Sequence, residues 1–387
     1  MIELRGITWD HTRGYLPLVA TAQRFSELRP DIGIVWQKRS LQEFADQSLA
    51  GLAERFDLLV IDHPSIGMAG ENALLVPLDE RLPAAFLAEQ ATASVGKSHQ
   101  SYFLHGHQWA LAIDAAAPVS GWRPDLLAQA KASIPRTWTA LLELARRGLV
   151  AIPGIPIDSL MHFFMVCVGL GEIPFSQPVG ATSEEIGVKA LEMLRTLAAL
   201  VSPECAHRNP IRTWEHLAAG DKVCFCPFAY GYSNYSRAEF VKNPLEVGGL
   251  IAIDGRERCR STLGGAGLAV SSRSRHVSEA VEYCEFVASP DRQRGLYFTS
   301  GGQPGHRGAW LDPETNRKSR NFFLNTLETL DEAWLRPRWN GYLDFQEMAG
   351  QVVHRYIWSG GNARDDVRQL NKLATEAIRS RRSEEEP

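Results

Sequence analysis

The stretch Phe56-Asp57-Leu58-Leu59-Val60-Ile61-Asp62 limits the fold more than any other part of this chain. Its four consecutive aliphatic residues show no polar alternation and leave neither face for water. A strand buried on both faces belongs to a parallel sheet covered by helices. The preceding residues agree. Residues 4–9 read as a strand. Tyr15, Leu18, Val19, Ala22, Phe25 and Leu28 then recur at three- and four-residue steps, which is a helix stripe ended by Pro30. Ile32, Ile34 and Trp36 alternate as a second strand. Strand, helix, strand in that order predicts an α/β sheet with right-handed crossovers.

The alternation resumes after residue 113. The pattern predicts helices over 137–147 and 184–201, near 278–288, and over 345–358 and 363–378. It predicts strands over 149–153, 223–226, 250–254 and 267–271. Two α/β halves without a flexible linker predict two lobes joined by several crossing segments, and 387 residues suffice for both.

Composition removes several function classes. The net charge of −4 argues against a nucleic-acid partner. No run reaches the roughly 20 apolar residues of a membrane span, and Met161-His162-Phe163-Phe164-Met165-Val166-Cys167-Val168 reads as a buried helix. The six cysteines form no paired framework and lack zinc spacing, which fits a reducing compartment. No metal or other cofactor is expected. The chain starts at once as a strand, with no basic and apolar leader ahead of it. As it stands it reads as cytoplasmic; with a leader removed it would be periplasmic or extracellular. The end, 379–387, reads as a frayed tail.

In open α/β sheets ligands sit beyond the carboxyl ends of the strands. That rule selects Trp9, Asp10 and His11, then Arg39, then Asp62 and His63, then Asp114. Each has a plainer alternative. Asp10 and Asp62 could cap the helices that follow, and Asp114 could be a hinge acid without ligand contact. Asp158, after the strand at Ile152, could mark a helix start that holds an anionic group, or could be an N-cap. Tyr230, Tyr232 and Tyr235, spaced by glycine and polar residues, read as a loop forming a ligand wall. His105-Gly106-His107 could offer two imidazoles to a metal, although Gly106 suits a hairpin turn better. Cys224 and Cys226 read as buried small hydrophobes. Arg336 and Arg338 could clamp an anion, and Trp310, Trp334 and Trp339 could stack from the second lobe; each could equally be surface or core.

Several segments resemble, in order, a known family. Gly106-His107-Gln108-Trp109-Ala110-Leu111-Ala112-Ile113-Asp114 is similar to its Gly-x-x-Tyr-Ala-Leu-Pro stretch. Gly121-Trp122-Arg123-Pro124-Asp125-Leu126 is similar to its Tyr-Asn-x-Asp-Leu segment. Pro135-Arg136-Thr137-Trp138-Thr139-Ala140-Leu141 is similar to its Pro-x-Thr-Trp-x-Glu-Leu signature. Leu217-Ala218-Ala219-Gly220-Asp221, Gly264-Gly265-Ala266-Gly267-Leu268 and Gly301-Gly302-Gln303-Pro304 follow at compatible spacing. The chain thus resembles the family 1 extracellular solute-binding proteins of ABC importers, which include maltose- and other sugar-binding receptors. It departs from the pattern at Gly121-Trp122-Arg123 and at Ala112.

The resemblance implies a periplasmic-binding-protein-like fold: two α/β lobes, a hinge and an interlobe ligand cleft. Lobe one would be 1–112 plus 262–308, and lobe two 113–261 plus 309–387. It adds Gly265 to the ligand-facing residues. It implies a monomer that captures a small polar molecule, a sugar or other metabolite, by hinge closure, and presents it to the membrane subunits of an importer. A rival reading makes Asp10, His11, Asp62, His63 and Asp114 the acid and base of a lyase- or dehydratase-like enzyme. A third is a cytosolic metabolite sensor.

Overall fold

A computed structural model describes residues 1–41, 43, 49–177, 180–253, 255 and 259–385, with side chains to 379. The chain divides into two compact units. The first comprises Met1–Ala116, Leu263–Asp331 and Leu335–Asn340. The second comprises Ala117–Thr262, Glu332–Trp334 and Gly341–Pro387.

The first unit is built on strands β1 (Ile2–Trp9), β2 (Ile32–Arg39), β3 (Leu58–Ile61), β6 (Leu111–Ala116) and β10 (Gly264–Val270), ordered β2-β1-β3-β10-β6. A hairpin of β4 (Phe103–Leu104) and β5 (His107–Gln108) lies outside this sheet. β3 is apolar throughout because both its faces are covered. Leu58 and Val60 enter one core with Leu18, Phe25 and Tyr283, while Leu59 and Ile61 enter another with Leu52, Ile66 and Tyr102. The sheet is mixed. β10 runs antiparallel to β3 and β6. β10 starts beside the residue where β6 ends, with Gly264 opposite Ala116, so it must run the opposite way.

Two glycines admit tryptophans at this sheet. A Cβ on Gly6 would overlap the Trp36 ring, and one on Gly14 would overlap the Trp9 ring. The helix Thr12–Leu28 can therefore seat directly on Trp9. Residues 309–331, assigned to lobe two from sequence, pack in the first unit. There Trp310 donates Nε1 to the Pro304 carbonyl at 2.7 Å and meets Phe323 edge to face at 5.0 Å. Helical periodicity says which face is apolar, not which sheet it covers.

The second unit carries a three-stranded antiparallel sheet ordered β8-β7-β9, of β7 (Pro118–Trp122), β8 (Phe225–Tyr230) and β9 (Glu246–Gly248). The helices Pro156–Gly169, Glu184–Ala198, Tyr342–Ser359 and Ala363–Glu385 pack together beside it. The helix Trp138–Arg146 starts as expected, with Thr137 Oγ1 accepting from Ala140 N at 3.3 Å and Trp138 buried. Two expected strands are not strands. At 149–153 only Val150 bridges β8, and Pro153 has no N–H to extend the ladder. At 250–253 only Ala252 bridges, to Thr137; the last expected residue, Asp254, lies outside the described residues.

Candidate ligand-binding site

β1, β2, β3 and β6 all run toward one edge of the first unit's sheet, and β10 starts there. The topology therefore gathers Trp9, Asp10, Arg39, Asp62, Asp114 and Gly265, drawn from a span of over 250 residues, at that edge. Asp10 N donates to the Arg39 carbonyl at 2.6 Å, and Gly265 lies opposite Ala115.

Asp62 is the best-placed acid. Its side chain is 28% exposed, and both its oxygens accept from Arg336 Nη2, at 2.8 and 2.6 Å. Oδ1 also accepts from His63 N at 2.9 Å, so Asp62 does cap the short turn His63–Ser65. Burial works to raise its pKa, but the Arg336 guanidinium and the His63 side chain outweigh it and hold the carboxyl well below the usual range. His63 is wholly buried, with Nδ1 3.2 Å from Asp62 Oδ1 and its ring edge-on to Tyr102. Burial, then the nearby Arg336 charge, lowers its pKa to about 4.

Asp114 is buried, not open to a ligand. Its Oδ2 accepts from Arg13 Nε at 2.7 Å and its Oδ1 from Arg13 Nη2, a two-pronged pair with both side chains almost fully covered. Burial raises the Asp114 pKa and Arg13 opposes that rise. The Arg13 guanidinium carbon lies 5.9 Å from the Trp9 ring centre. Trp9 itself is 4% exposed, so helix packing takes up most of the surface expected to form an aromatic platform.

The other residues at this edge have settled roles. Asp10 does not cap the following helix. His11 does, with Nδ1 accepting from Arg13 N at 3.0 Å, while Asp10 pairs with Lys38 at 2.8 Å on the surface. Burial, then Arg13, lowers the His11 pKa to about 4. Arg39 is buried and donates to the carbonyls of Val60 at 3.2 Å and Glu43 at 3.3 Å; desolvation lowers its pKa to about 10. It ties the sheet edge to the chain beside it. Gly265 adopts φ +106° where β10 bulges.

In the second unit, Asp158 is buried in the first turn of Pro156–Gly169, whose N-cap is Ile155. It is therefore neither the expected N-cap nor exposed to an anion. Burial pushes its carboxyl well above the ordinary range. Tyr232 and Tyr235 are buried and meet edge to face at 6.3 Å. Tyr230 is half-buried, with its hydroxyl 3.2 Å from Thr262 Oγ1. His105 and Gly106, both at positive φ, turn the β4–β5 hairpin. Among the described residues no three groups of the right kind could hold a metal ion. All six cysteines are free and buried. Trp310 and Trp339 belong to the first unit. Trp334 belongs to the second and packs on Phe164 and Phe175.

Sequence reasoning missed Arg13 and left Arg336 among the alternatives. Neither follows a strand, and a charged residue becomes informative only when its partner is known.

A family model for bacterial extracellular solute-binding proteins matches residues 20–321. The chain belongs to this family. Comparison of the sequence with curated proteins gives no match. Among solved structures, this solute-binding protein is similar to the maltose-bound MalE3 of T. maritima. Identity is 17% over 98% of this chain and 100% of that one, with a TM-score of 0.83. An ABC transporter solute binding protein from Agrobacterium radiobacter K84 in complex with ribitol gives 17% over 97% and 98%, at 0.83. One from Thermotoga lettingae TMO, bound with alpha-D-tagatose, gives 16% over 98% and 100%, at 0.82. At these identities the likeness establishes the periplasmic-binding-protein-like α/β fold. No helix among the described residues is long and apolar enough to cross a membrane.

The buried imidazole gives the solute-binding protein an acid limit. His63 has a folded pKa near 4 against 6.5 unfolded, so its contribution is complete above pH 6.5 and is lost as pH falls toward 4. That loss is on the order of 2–3 kcal/mol. Urea unfolding across pH 4–7 should show the decline, and His63→Gln should make it shallower, with His11, whose pKa burial also lowers to about 4, contributing to what remains. An unchanged slope would rule out His63 as a source.

Proposed function

We propose that this protein captures an uncharged polyhydroxylated solute, a sugar or sugar alcohol, at the carboxyl edge of the first unit's sheet, for delivery to the membrane subunits of an ABC importer. The observation that carries this reading is the pairing of charge along that edge. Asp10 has Lys38, Asp62 has Arg336, and Asp114 has Arg13. A cationic solute docking on Asp62, the partly exposed acid whose partner is buried, would have to displace Arg336, and leaving that buried guanidinium without a counter-ion is costly. Hydroxyl groups need no such exchange, because a paired carboxylate keeps lone pairs that can accept from them. The maltose, ribitol, tagatose and mannitol bound by similar proteins agree with such a solute. Hinge closure on the solute, action as a monomer, and work outside the cytoplasmic membrane belong to the same proposal.

Thermal shift over maltose, ribitol, D-mannitol and tagatose, beside organic acids, amino acids and CoA metabolites, tests it. A true solute at 100 times its Kd should add about 2.7 kcal/mol, read as a dose-dependent rise in Tm, and should be recovered unchanged. Stabilisation by charged metabolites alone, or consumption of the solute, would overturn the reading.

A further inference from the structure

We infer that Arg336 sets the charge selectivity of the solute site: it is a counter-ion built into the chain that fills the cation-accepting side of Asp62. This inference rests on the proposed capture of a solute at the sheet edge. Of the two edge acids paired with a buried arginine, Asp62 keeps an exposed surface, 28% of its side chain, against 0% for Asp114. An ionised carboxylate in that position, without a counter-ion, would take up an ammonium group. Arg336 prevents this by donating Nη2 to both oxygens.

The guanidinium is also fixed in place. Its side chain is 3% exposed, and Nε donates to the Leu263 carbonyl at 3.3 Å. It sits on Leu335–Asn340, a short segment that packs in the first unit although the residues on either side of it belong to the second. Arg338 ties that segment down by donating Nη1 to the carbonyls of Gln100 at 2.8 Å, Ser101 at 3.2 Å and Phe103 at 2.9 Å. Asn340 Nδ2 donates to Glu71 at 2.6 Å. Gly67 lets the segment lie close, since a Cβ there would overlap the Arg338 backbone. Arg336 therefore cannot swing aside for a cationic solute without loosening this anchored stretch. Its pairing leaves the Asp62 oxygens able to accept hydroxyls, which is positioning as well as exclusion.

The test is calorimetric titration of the full chain with D-mannitol, its 1-amino-1-deoxy derivative and D-mannonate, and with the matching ribitol series. The wild type should prefer the neutral member. Arg336→Met should shift the amine-to-neutral affinity ratio at least tenfold toward the amine, and Arg336→Lys should keep the wild-type preference. Asp62→Asn removes the carboxylate, leaves the charge of Arg336 uncompensated beneath the solute, and should shift the ratio at least tenfold toward the acid. If Arg336→Met does not fold, the Asp62→Asn arm decides alone. Loss of neutral-solute affinity with unchanged ratios would mean a merely structural role and would overturn the inference. A wild type that binds no uncharged solute would instead remove the proposed function, and this inference with it.

Discussion

Replacing Arg13 with methionine should destabilise the protein by about 3–5 kcal/mol. Methionine keeps much of the side-chain volume beside Trp9, so the loss comes from charge. Asp114 would be left buried with no counter-ion, after losing both prongs of its pair. The pH dependence separates this cause from loss of packing. Burial already raises the Asp114 pKa, and Arg13 opposes it. Without Arg13 the folded pKa rises further. For an acid with a raised folded pKa, stability is present at low pH and is lost as pH rises through that value. The deficit of Arg13→Met relative to wild type should therefore be small near pH 4 and largest at neutral pH. The double variant Arg13→Met/Asp114→Leu should recover most of it, because an apolar pair can replace a buried ion pair at little cost. Urea unfolding at both pH values checks all three statements, and a deficit independent of pH would attribute the loss to packing.

Gly265→Val should cost about 3 kcal/mol or more, combining backbone strain with overpacking. Gly265 holds φ +106°, which a β-branched residue adopts only under strain. A Cβ there would press on the Asp114 carbonyl and lie 3.0 Å from Ala115 Cα, and neither backbone atom can move without disturbing β6. The damage would fall on the strand that carries Asp114, so solute affinity should drop together with stability. Chemical unfolding and titration with the best neutral solute would show both. A folded variant of wild-type stability would mean that β10 can shift its bulge.

Much of the fold was legible because it is local. The apolar run at β3, the stripe from Tyr15 to Leu28 and the Thr137 cap each depend on neighbours within a few residues. The strand-end rule likewise picked out residues that the sheet brings to one edge, since it needs only the strands' positions and their shared direction. The roles at that edge were not legible. The acids were recognised without their cations, because Arg13 and Asp114 are 101 residues apart and Arg336 and Asp62 are 274 apart. Without those partners, buried Asp114 and partly exposed Asp62 read alike. Asp158 and Tyr232 read as exposed site residues for the same reason.

Periodicity, capping and motif order are encoded along the chain, and they carried the α/β class and the family. The tertiary structure alone decided which carboxylate meets which guanidinium, which strand runs backwards and which aromatics are buried. Those outcomes depend on distances between segments far apart in the chain, and Coulomb and packing energies act on such distances, not on sequence separation.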